Sequence, residues 1–208
     1  MTTKRKGYMT LAEHHAQMKA DGKWDEYVAR RTQQDVARQK LRDKMAIAEA
    51  PLVAALKAAG ANVNSAWDLI DSQEVFPDGV ILTLLEHVKK PTYPDEVREG
   101  ILRALAALGA RDHWNELIEF FEANSLSLPP DRRYVAALAL AGAADDSVID
   151  DVMRLASDSS LGNDRAPLLL PLLRSKDPRA KMLLLMLRDD PVIGKEIKMI
   201  RRLERQLV

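Results

Sequence analysis

The stretch PDEVREGILRALAALGA, from Pro94 to Ala110, decides the fold that we predict for this chain. Pro-Asp is typical of a helix start, because Pro presets φ and the Asp carboxylate accepts hydrogen bonds from the free N–H groups of the first turn. Gly109 stands where helices tend to end. Between them, apolar side chains at helical spacing form one stripe: Val97, Ile101, Leu102, Ala104, Leu105 and Leu108. The stretch therefore predicts an amphipathic helix over 95–108.

The same plan returns at Pro130 (PDRRYVAALALAGA) and, more loosely, at Asn163 (NDRAPLLLPLLRS). We predict that the helices from residue 77 onward come in pairs. The predicted first members are Asp78–Lys89, Asp112–Ala123, Ser147–Ser157 and Asp177–Arg188, and the second members are Asp95–Leu108, Asp131–Gly142, Asp164–Arg174 and about Val192–Leu207. The first members start 34, 35 and 30 residues apart, a period typical of helical-hairpin solenoids. The predicted fold class is all-α, an α-α superhelix or solenoid of about four to five helical pairs.

The N-terminal part predicts a helical extension of different character. Thr10 and Glu13 have capping-box spacing, which predicts a helix from Leu11 to about Ala20. A polar helix should follow from Lys23 to about Ala50, where Pro51 either starts a new helix or kinks the old one. Ser65 and Asp68 have the same capping-box spacing and predict a short helix. We therefore expect a basic helical arm over residues 1–50 and a repeat domain over 51–208.

Charge is distributed unevenly along the chain, although Lys+Arg and Asp+Glu balance over its 208 residues. The net charge is +5 over residues 1–44, −8 over 45–194 and +3 over 195–208. An acidic central part argues against a protein that wraps nucleic acid along its whole length. The basic ends can instead contact an acidic partner or a second copy of the chain, so a homodimer stays open as an alternative.

Composition excludes several classes of site. The chain has no cysteine, which rules out disulfides, thiolate metal sites and cysteine nucleophiles. No apolar run approaches the length of a membrane span, and the basic N-terminus lacks the apolar run of a secretory signal. We expect a soluble, cytoplasmic protein.

The pattern Asp95, Val97-Arg98, Ala104-Leu105 and Leu108-Gly109 resembles the second helix of a HEAT repeat, and the likeness extends over residues 77–207. The stretch from Ser65 to Ala107 resembles a group of small bacterial HEAT-like proteins. The resemblance implies a binding scaffold whose second helices line a concave surface. Two prolines inside the third predicted second helix, Pro167 and Pro171, depart from the pattern.

Arginines and tyrosines of the second helices are the candidate partner-binding residues: Tyr93, Arg98, Arg103, Arg132, Arg133, Tyr134, Arg165 and Arg174. A guanidinium presents a planar fork of donors to carboxylates or phosphates, and tyrosine beside arginine is typical of interface hot spots. In the alternative interpretation, the arginines pair with acids of neighbouring repeats as a structural ladder. The sequence leaves both open.

A second candidate surface is the basic arm: Arg30, Arg31, Arg38, Lys40, Arg42 and Lys44. Such a run suits nucleic acid or an acidic protein. Interrupting glutamines and acids make a solvated face, or a helix packed on the acidic part, an equal alternative.

The remaining reactive side chains favour structural roles. His14 and His15 are adjacent on a helix and point to different faces, so they do not form a metal pair. Asp112 is expected to cap its helix with His113 exposed, and Trp67 and Trp114 are expected in the core. The acidic pairs at 145–146, 150–151 and 189–190 are expected to cap helices. We predict no catalytic residue, no metal and no cofactor.

Together these features favour a non-enzymatic protein-binding scaffold or sequestering module. Its concrete form is an immunity-type protein that blocks a toxin. The alternative is a nucleic-acid-binding protein similar to the HEAT-like alkylpurine DNA glycosylases, which need a basic groove with Trp and Asp beside the target base. A scaffold similar to HEAT-like phycobilin lyases is a third hypothesis, without a matching motif.

Overall fold

The computed structural model describes residues 9–124, 128 and 130–199, which form helices, turns and loops without a β-strand. The α-helices are α1 Leu11–Ala20, α2 Trp24–Ala58, α3 Asp78–Val88, α4 Asp95–Leu108, α5 Trp114–Asn124, α6 Pro130–Ala143, α7 Ile149–Ser157, α8 Leu169–Arg174 and α9 Pro178–Met186. Short 3-10 segments span Ala66–Leu69, Arg111–His113, Asp146–Val148, Ser159–Leu168 and Leu187–Asp189. The all-α class is confirmed. Of the helices described, none combines the length and apolar character needed to cross a bilayer.

The chain divides into two compact units, Met1–Ile47 and Ala48–Val208. In the first unit, α1 begins with the predicted capping box. The Glu13 N–H donates to Thr10 Oγ1 over 3.2 Å, and the Glu13 carboxylate accepts from the Thr10 N–H over 2.7 Å. The helix ends before Gly22, whose φ of +67° fits the predicted break. No side chain between residues 9 and 47 is buried.

Helix α2 runs without interruption through Pro51, so this proline does not start a separate helix. In the second unit, the α2 side chains Leu52 and Leu56 are fully buried. The buried Glu49 carboxylate accepts from the Ser65 hydroxyl over 2.9 Å and from the Ala66 N–H over 2.7 Å. Glu49 thereby ties α2 to the predicted short helix, which forms as a 3-10 segment with its own capping box.

Helix α4 has the predicted bounds, and the predicted stripe is buried except at Leu108, which is half-buried. It ends at Gly109, which adopts the left-handed conformation with φ +63°. The next second helix, α6, packs against α4 and, on its other side, against the segment Ser159–Leu168. The backbones of α4 and α6 approach so closely that a Cβ at Gly142 would lie 2.2 Å from the Ala106 carbonyl oxygen.

The third predicted second helix, Asp164–Arg174, is wrong in its first half. Residues Ser159–Leu168 form a 3-10 segment, and only Leu169–Arg174 is α-helical. Pro167 and Pro171 explain the difference, because each lacks the N–H that an α-helical hydrogen bond requires. The segment is capped by Asp158, whose carboxylate accepts from the Ser160 N–H over 2.9 Å. The predicted last helix begins at residue 194, and its part beyond 199 lies outside the described residues.

Candidate functional site

Arginine–carboxylate contacts connect the second helices to one another. Glu99 on α4 binds two arginines: its Oε1 lies 2.8 Å from Nε of Arg103 on the same helix, and its Oε2 contacts Nη1 of Arg132 on α6. Arg133, the next residue of α6, places its Nε 2.7 Å from Oδ2 of Asp164 in the following segment.

Arg165 continues the series. Its guanidinium is 2% exposed and lies 2.7 Å from Asp190 Oδ2, while it donates to the carbonyl oxygens of Gly162 and Ala156 over 2.9 and 3.3 Å. The Arg132–Glu99 and Arg165–Asp190 pairs join residues 33 and 25 positions apart. Arg132, Arg133 and Arg165 thus form a structural ladder, the second of the two alternatives that the sequence left open.

The two acids of this ladder differ in their electrostatics. Burial raises the pKa of the Asp164 carboxyl above its usual range, and the Arg133 guanidinium offsets this only in part. Burial also acts to raise the pKa of Asp190, but the N–H groups of Ile193 and Val192, together with Arg165, hold it below its usual value. Burial thus opposes ionisation of Asp164 and Arg133 favours it, whereas Asp190 is also stabilised as an anion by backbone donors.

Trp67 is not in the core as predicted; its side chain is 44% exposed. Its indole covers α4 at Gly100, where a Cβ would come 2.7 Å from Trp67 Nε1. The Arg103 guanidinium carbon lies 5.9 Å from the centre of the indole ring, within cation–π range. Trp67, Arg103, Glu99 and Arg132 form one connected cluster that the sequence interpretation missed. The signal was Gly100, a glycine inside an otherwise regular helix.

Further along the second helices, Tyr134 on α6 and Leu170 on α8 are each 38% exposed, and Arg174 on α8 is also exposed. Of the other candidates, Arg98 is half-buried and Tyr93 is buried. The Tyr93 hydroxyl lies 2.7 Å from His87 Nδ1. Among the predicted candidates, Tyr134 and Arg174 are therefore exposed and Arg103 is half-exposed; the unpredicted Leu170 on α8 and Trp67 on the segment Ala66–Leu69 are also exposed.

The first helices are connected by a separate set of polar contacts. The predicted exposure of His113 is wrong: the residue is buried, and its Nε2 lies 2.8 Å from Asp78 Oδ1 on α3. The hydrogen bond to Asp78 raises the pKa of His113 above its usual value, against the effect of burial. Trp114 is buried at 5% exposure, as predicted, and its indole N–H donates to Asp151 on α7 over 3.3 Å.

The acidic pairs take structural positions. Asp145 caps the segment Asp146–Val148 by accepting from the Ser147 N–H over 2.8 Å. Asp146 accepts from the Ser175 hydroxyl over 2.6 Å, and Asp150 lies 2.9 Å from Arg179 on α9. These carboxylates cap helices and connect consecutive pairs, so they are not gathered in one apolar pocket.

No group of three or more His, Asp or Glu side chains in the described part of the chain could hold a metal ion. The His15 ring packs against Trp24 at 5.0 Å and Tyr27 at 5.7 Å between ring centres. An open cavity of about 440 Å³ adjoins Trp67 and is lined mainly by polar groups, with Asp68, Asp71 and Glu74 among them. Asp68 already accepts from the backbone N–H groups of Asn64 and Ser65.

The basic arm candidates all lie on the exposed part of α2. Arg30, Arg31 and Arg38 line one shallow groove with Tyr27 and Gln34. Lys40, Arg42 and Lys44 are not part of it; Arg42 instead donates to the Gln39 side chain over 2.6 Å. The structure therefore separates the six predicted residues into two groups.

Comparison of the chain with family models, with curated proteins and with solved structures found no match.

Proposed function

We propose that the second unit is a HEAT-like α-solenoid and that the exposed side of its second helices binds a protein partner. One observation carries the proposal: α4 packs on α6, and α6 on the segment Ser159–Leu168, far more extensively than α3, α5 and α7 pack on one another. In a stack of helical pairs, a tight layer on one side and a looser layer on the other produce curvature toward the tight layer. The second helices would then line the concave side.

The polar contacts support a repeating arrangement. Asp78–His113 and Trp114–Asp151 in the first-helix layer join residues 35 and 37 positions apart. Glu99–Arg132 in the second-helix layer spans 33 positions. These separations match the period that the sequence predicts, which is expected if each pair repeats the contacts of the pair before it.

The exposed side chains of the second helices suit a protein rather than a small molecule. Tyr134 and Leu170, together with Trp67, which covers α4, offer apolar area, and Arg103 and Arg174 add positive charge. Aromatic residues and arginine are enriched at interface hot spots, because they combine a large apolar surface with directional donors. The partner would present apolar side chains together with carboxylates.

Sequestration of that partner is the concrete activity that we propose, in the manner of an immunity-type protein that blocks a toxin. This form rests on the resemblance to small bacterial HEAT-like proteins. It requires a stoichiometric complex and no catalytic group. Homodimerisation stays a prediction.

The glycosylase-like alternative has less support. It needs a tryptophan and an aspartate presented on an open basic groove. Trp114 is buried against Asp151, and Arg132, Arg133 and Arg165 are engaged by carboxylates. These residues are therefore poorly placed to receive a base.

The test is affinity capture with the tagged full-length chain from nuclease-treated lysate, followed by mass spectrometry. The variant Tyr134→Ala/Leu170→Ala removes two exposed apolar side chains from the second helices. Its matched control, Leu82→Ala/Met182→Ala, removes two exposed apolar side chains from α3 and α9. We expect one stoichiometric protein to be retained at moderate salt by the wild type and the control and lost from the variant, with unchanged melting temperatures. Equal retention by both variants would refute the proposed surface.

A further inference from the structure

The exposed part of α2 carries a cationic face that the ladder and the second helices do not use. Tyr27, Arg30, Arg31, Gln34 and Arg38 line one shallow groove of about 350 Å³. On a helix with 100° between successive residues, these five positions fall within an arc of about 100°. From Arg30 to Arg38 the face extends about 12 Å along the helix axis. We call it the Arg30–Arg38 face.

Acidic side chains are excluded from this arc. Asp25, Glu26 and Asp43 lie on other sides of the helix, and Asp35 lies just outside the arc. Asp35 is 3.6 Å from Arg38, but both side chains are more than half exposed, so this pair is weak. Within the described residues, no strong ion pair therefore neutralises the positive field of the three guanidinium groups.

Tyr27 orients part of the face. Its ring packs against Trp24 and His15, with ring centres 5.7 Å apart in both cases. Its hydroxyl accepts a hydrogen bond from Arg31 Nη1 over 3.2 Å. Because the tyrosine ring is held by its neighbours, Arg31 is restrained toward the groove.

We propose that the Arg30–Arg38 face binds the phosphodiester backbone of a nucleic acid. A protein interface normally has a central apolar anchor, and here the only aromatic ring of the face packs against Trp24 and His15. Phosphate contacts need no such anchor, since they derive from guanidinium–phosphate hydrogen bonds and counterion release. The 12 Å span faces about seven phosphate charges of a duplex. The net charge of −8 over residues 45–194 disfavours the same ligand on that part of the chain.

This proposal is independent of the protein-binding surface on the second helices. Binding to the backbone alone carries no base specificity, so DNA and RNA duplexes of equal length should both bind. Three phosphate contacts predict a slope of log affinity against log salt of about −2.7 for duplex DNA.

The test is fluorescence anisotropy of the full-length chain with labelled 20-base-pair DNA and RNA duplexes between about 50 and 200 mM salt. Arg30→Gln/Arg38→Gln removes two charges from the face, and the matched control Lys40→Gln/Lys44→Gln removes two charges from other sides of the same helix. We expect the first variant to reduce the DNA slope to about −0.9 and to weaken affinity on the order of 50-fold at about 0.1 M salt. The control should stay within about twofold of wild type, because distant exposed charges are screened at this salt.

Three outcomes would overturn the proposal. The first is that neither duplex binds the wild-type chain. The second is that both variants lose affinity equally, which would indicate a diffuse charge effect. The third is that sedimentation shows a salt-sensitive dimer, without duplex binding, and that Arg30→Gln/Arg38→Gln dissociates this dimer. The last result would assign the face to the acidic surface of a second copy. None of these outcomes would bear on the proposal that the exposed side of the second helices, with Tyr134 and Leu170, binds a protein partner.

Discussion

At the scale of single residues, the buried polar groups have distinct roles that their neighbours determine. Arg165 is enclosed by one carboxylate and two backbone carbonyls, whereas Arg174, nine positions later, is exposed. His113 and His87 are both buried, but one contacts a carboxylate and the other a tyrosine hydroxyl. The same residue type thus contributes differently to stability at each position.

We predict that Arg165→Met lowers the free energy of unfolding by about 3–5 kcal/mol, because it leaves the Asp190 charge and two carbonyls without their partner. Arg174→Met is the matched control and should change it by less than about 0.5 kcal/mol. Urea denaturation followed by circular dichroism measures both. A loss below about 1 kcal/mol for Arg165→Met would show that the contact to Asp190 is not maintained in solution.

The two buried histidines should give opposite pH dependences. The Asp78 hydrogen bond raises the pKa of His113, so its stabilising effect is complete below the unfolded pKa and is lost as pH rises through the folded value. Burial, and then the Lys90 charge, lower the pKa of His87 against a smaller effect of Glu86, so its contribution is lost as pH falls.

We therefore expect His113→Gln to destabilise the chain more at about pH 5.5 than at about pH 8, and His87→Gln to do the reverse. The sign of each difference follows from the direction in which the pKa of that histidine is shifted. Denaturant titrations of the wild type and both variants at the two pH values give the comparison. If the destabilisation caused by both variants changed in the same direction between the two pH values, the assigned environments of the two histidines would be contradicted.

At the scale of elements, the close approach of α4 and α6 is the most constrained contact of the second unit. Gly142 on α6 faces the backbone of Ala106 on α4, which leaves no room for a side chain. A Cβ added at Gly79 on α3, in contrast, would lie 3.9 Å from the Ala59 Cβ, the nearest atom outside its own helix.

We predict that Gly142→Ala destabilises the fold by about 1–3 kcal/mol, because the added Cβ must separate two packed backbones. Gly79→Ala should be neutral or stabilising by up to about 1 kcal/mol, since alanine has the higher helix propensity. Thermal unfolding of both variants provides the measurement. A neutral Gly142→Ala would mean that the two helices are farther apart than described.

The sequence predicts elements well where local chemistry determines them. Thr10–Glu13 and Ser65–Asp68 form capping boxes within a few residues, and the bounds of α4 follow from Pro94 and Gly109. The predictions for Trp67 and His113 are wrong because each side chain is positioned by a residue more than 30 positions away, Gly100 for Trp67 and Asp78 for His113. Helical spacing alone does not identify a partner on another element. The 3-10 geometry of Ser159–Leu168 does not follow from apolar spacing, because it depends on the missing N–H of Pro167 and on the non-helical backbone at Gly162.

The predicted partner-binding residues also divide into those that the sequence places correctly and those that depend on contacts with other elements. Arg103, Tyr134 and Arg174 were predicted as binding residues and are half-exposed or exposed. Arg132, Arg133 and Arg165 lie at the predicted starts of their helices and contact acids of other elements, whereas Arg103 and Arg174 lie later on theirs. The position along the helix favours exposure of Arg103 and Arg174 from the sequence alone, but the carboxylate that each buried or half-buried arginine contacts is visible only in the structure.

At the scale of the whole molecule, every buried side chain of the described chain belongs to the second unit. We therefore predict that a chain beginning at Ala48 unfolds in one cooperative transition with a melting temperature within a few degrees of the full-length value. A chain beginning at Ala59 is the control. It lacks Leu52 and Leu56, which are fully buried, and each such leucine contributes about 2–5 kcal/mol. Equal melting of the two shortened chains would contradict this core.

The most direct test of the central claim is hydrogen–deuterium exchange of the full-length chain, alone and in the stoichiometric complex recovered by capture. If the second helices hold the partner, protection should increase in peptides covering 95–108, 130–143 and 169–174, while peptides covering 78–88 and 114–124 exchange as before. Protection confined to the first helices, or to residues 24–47, would contradict the proposed binding surface.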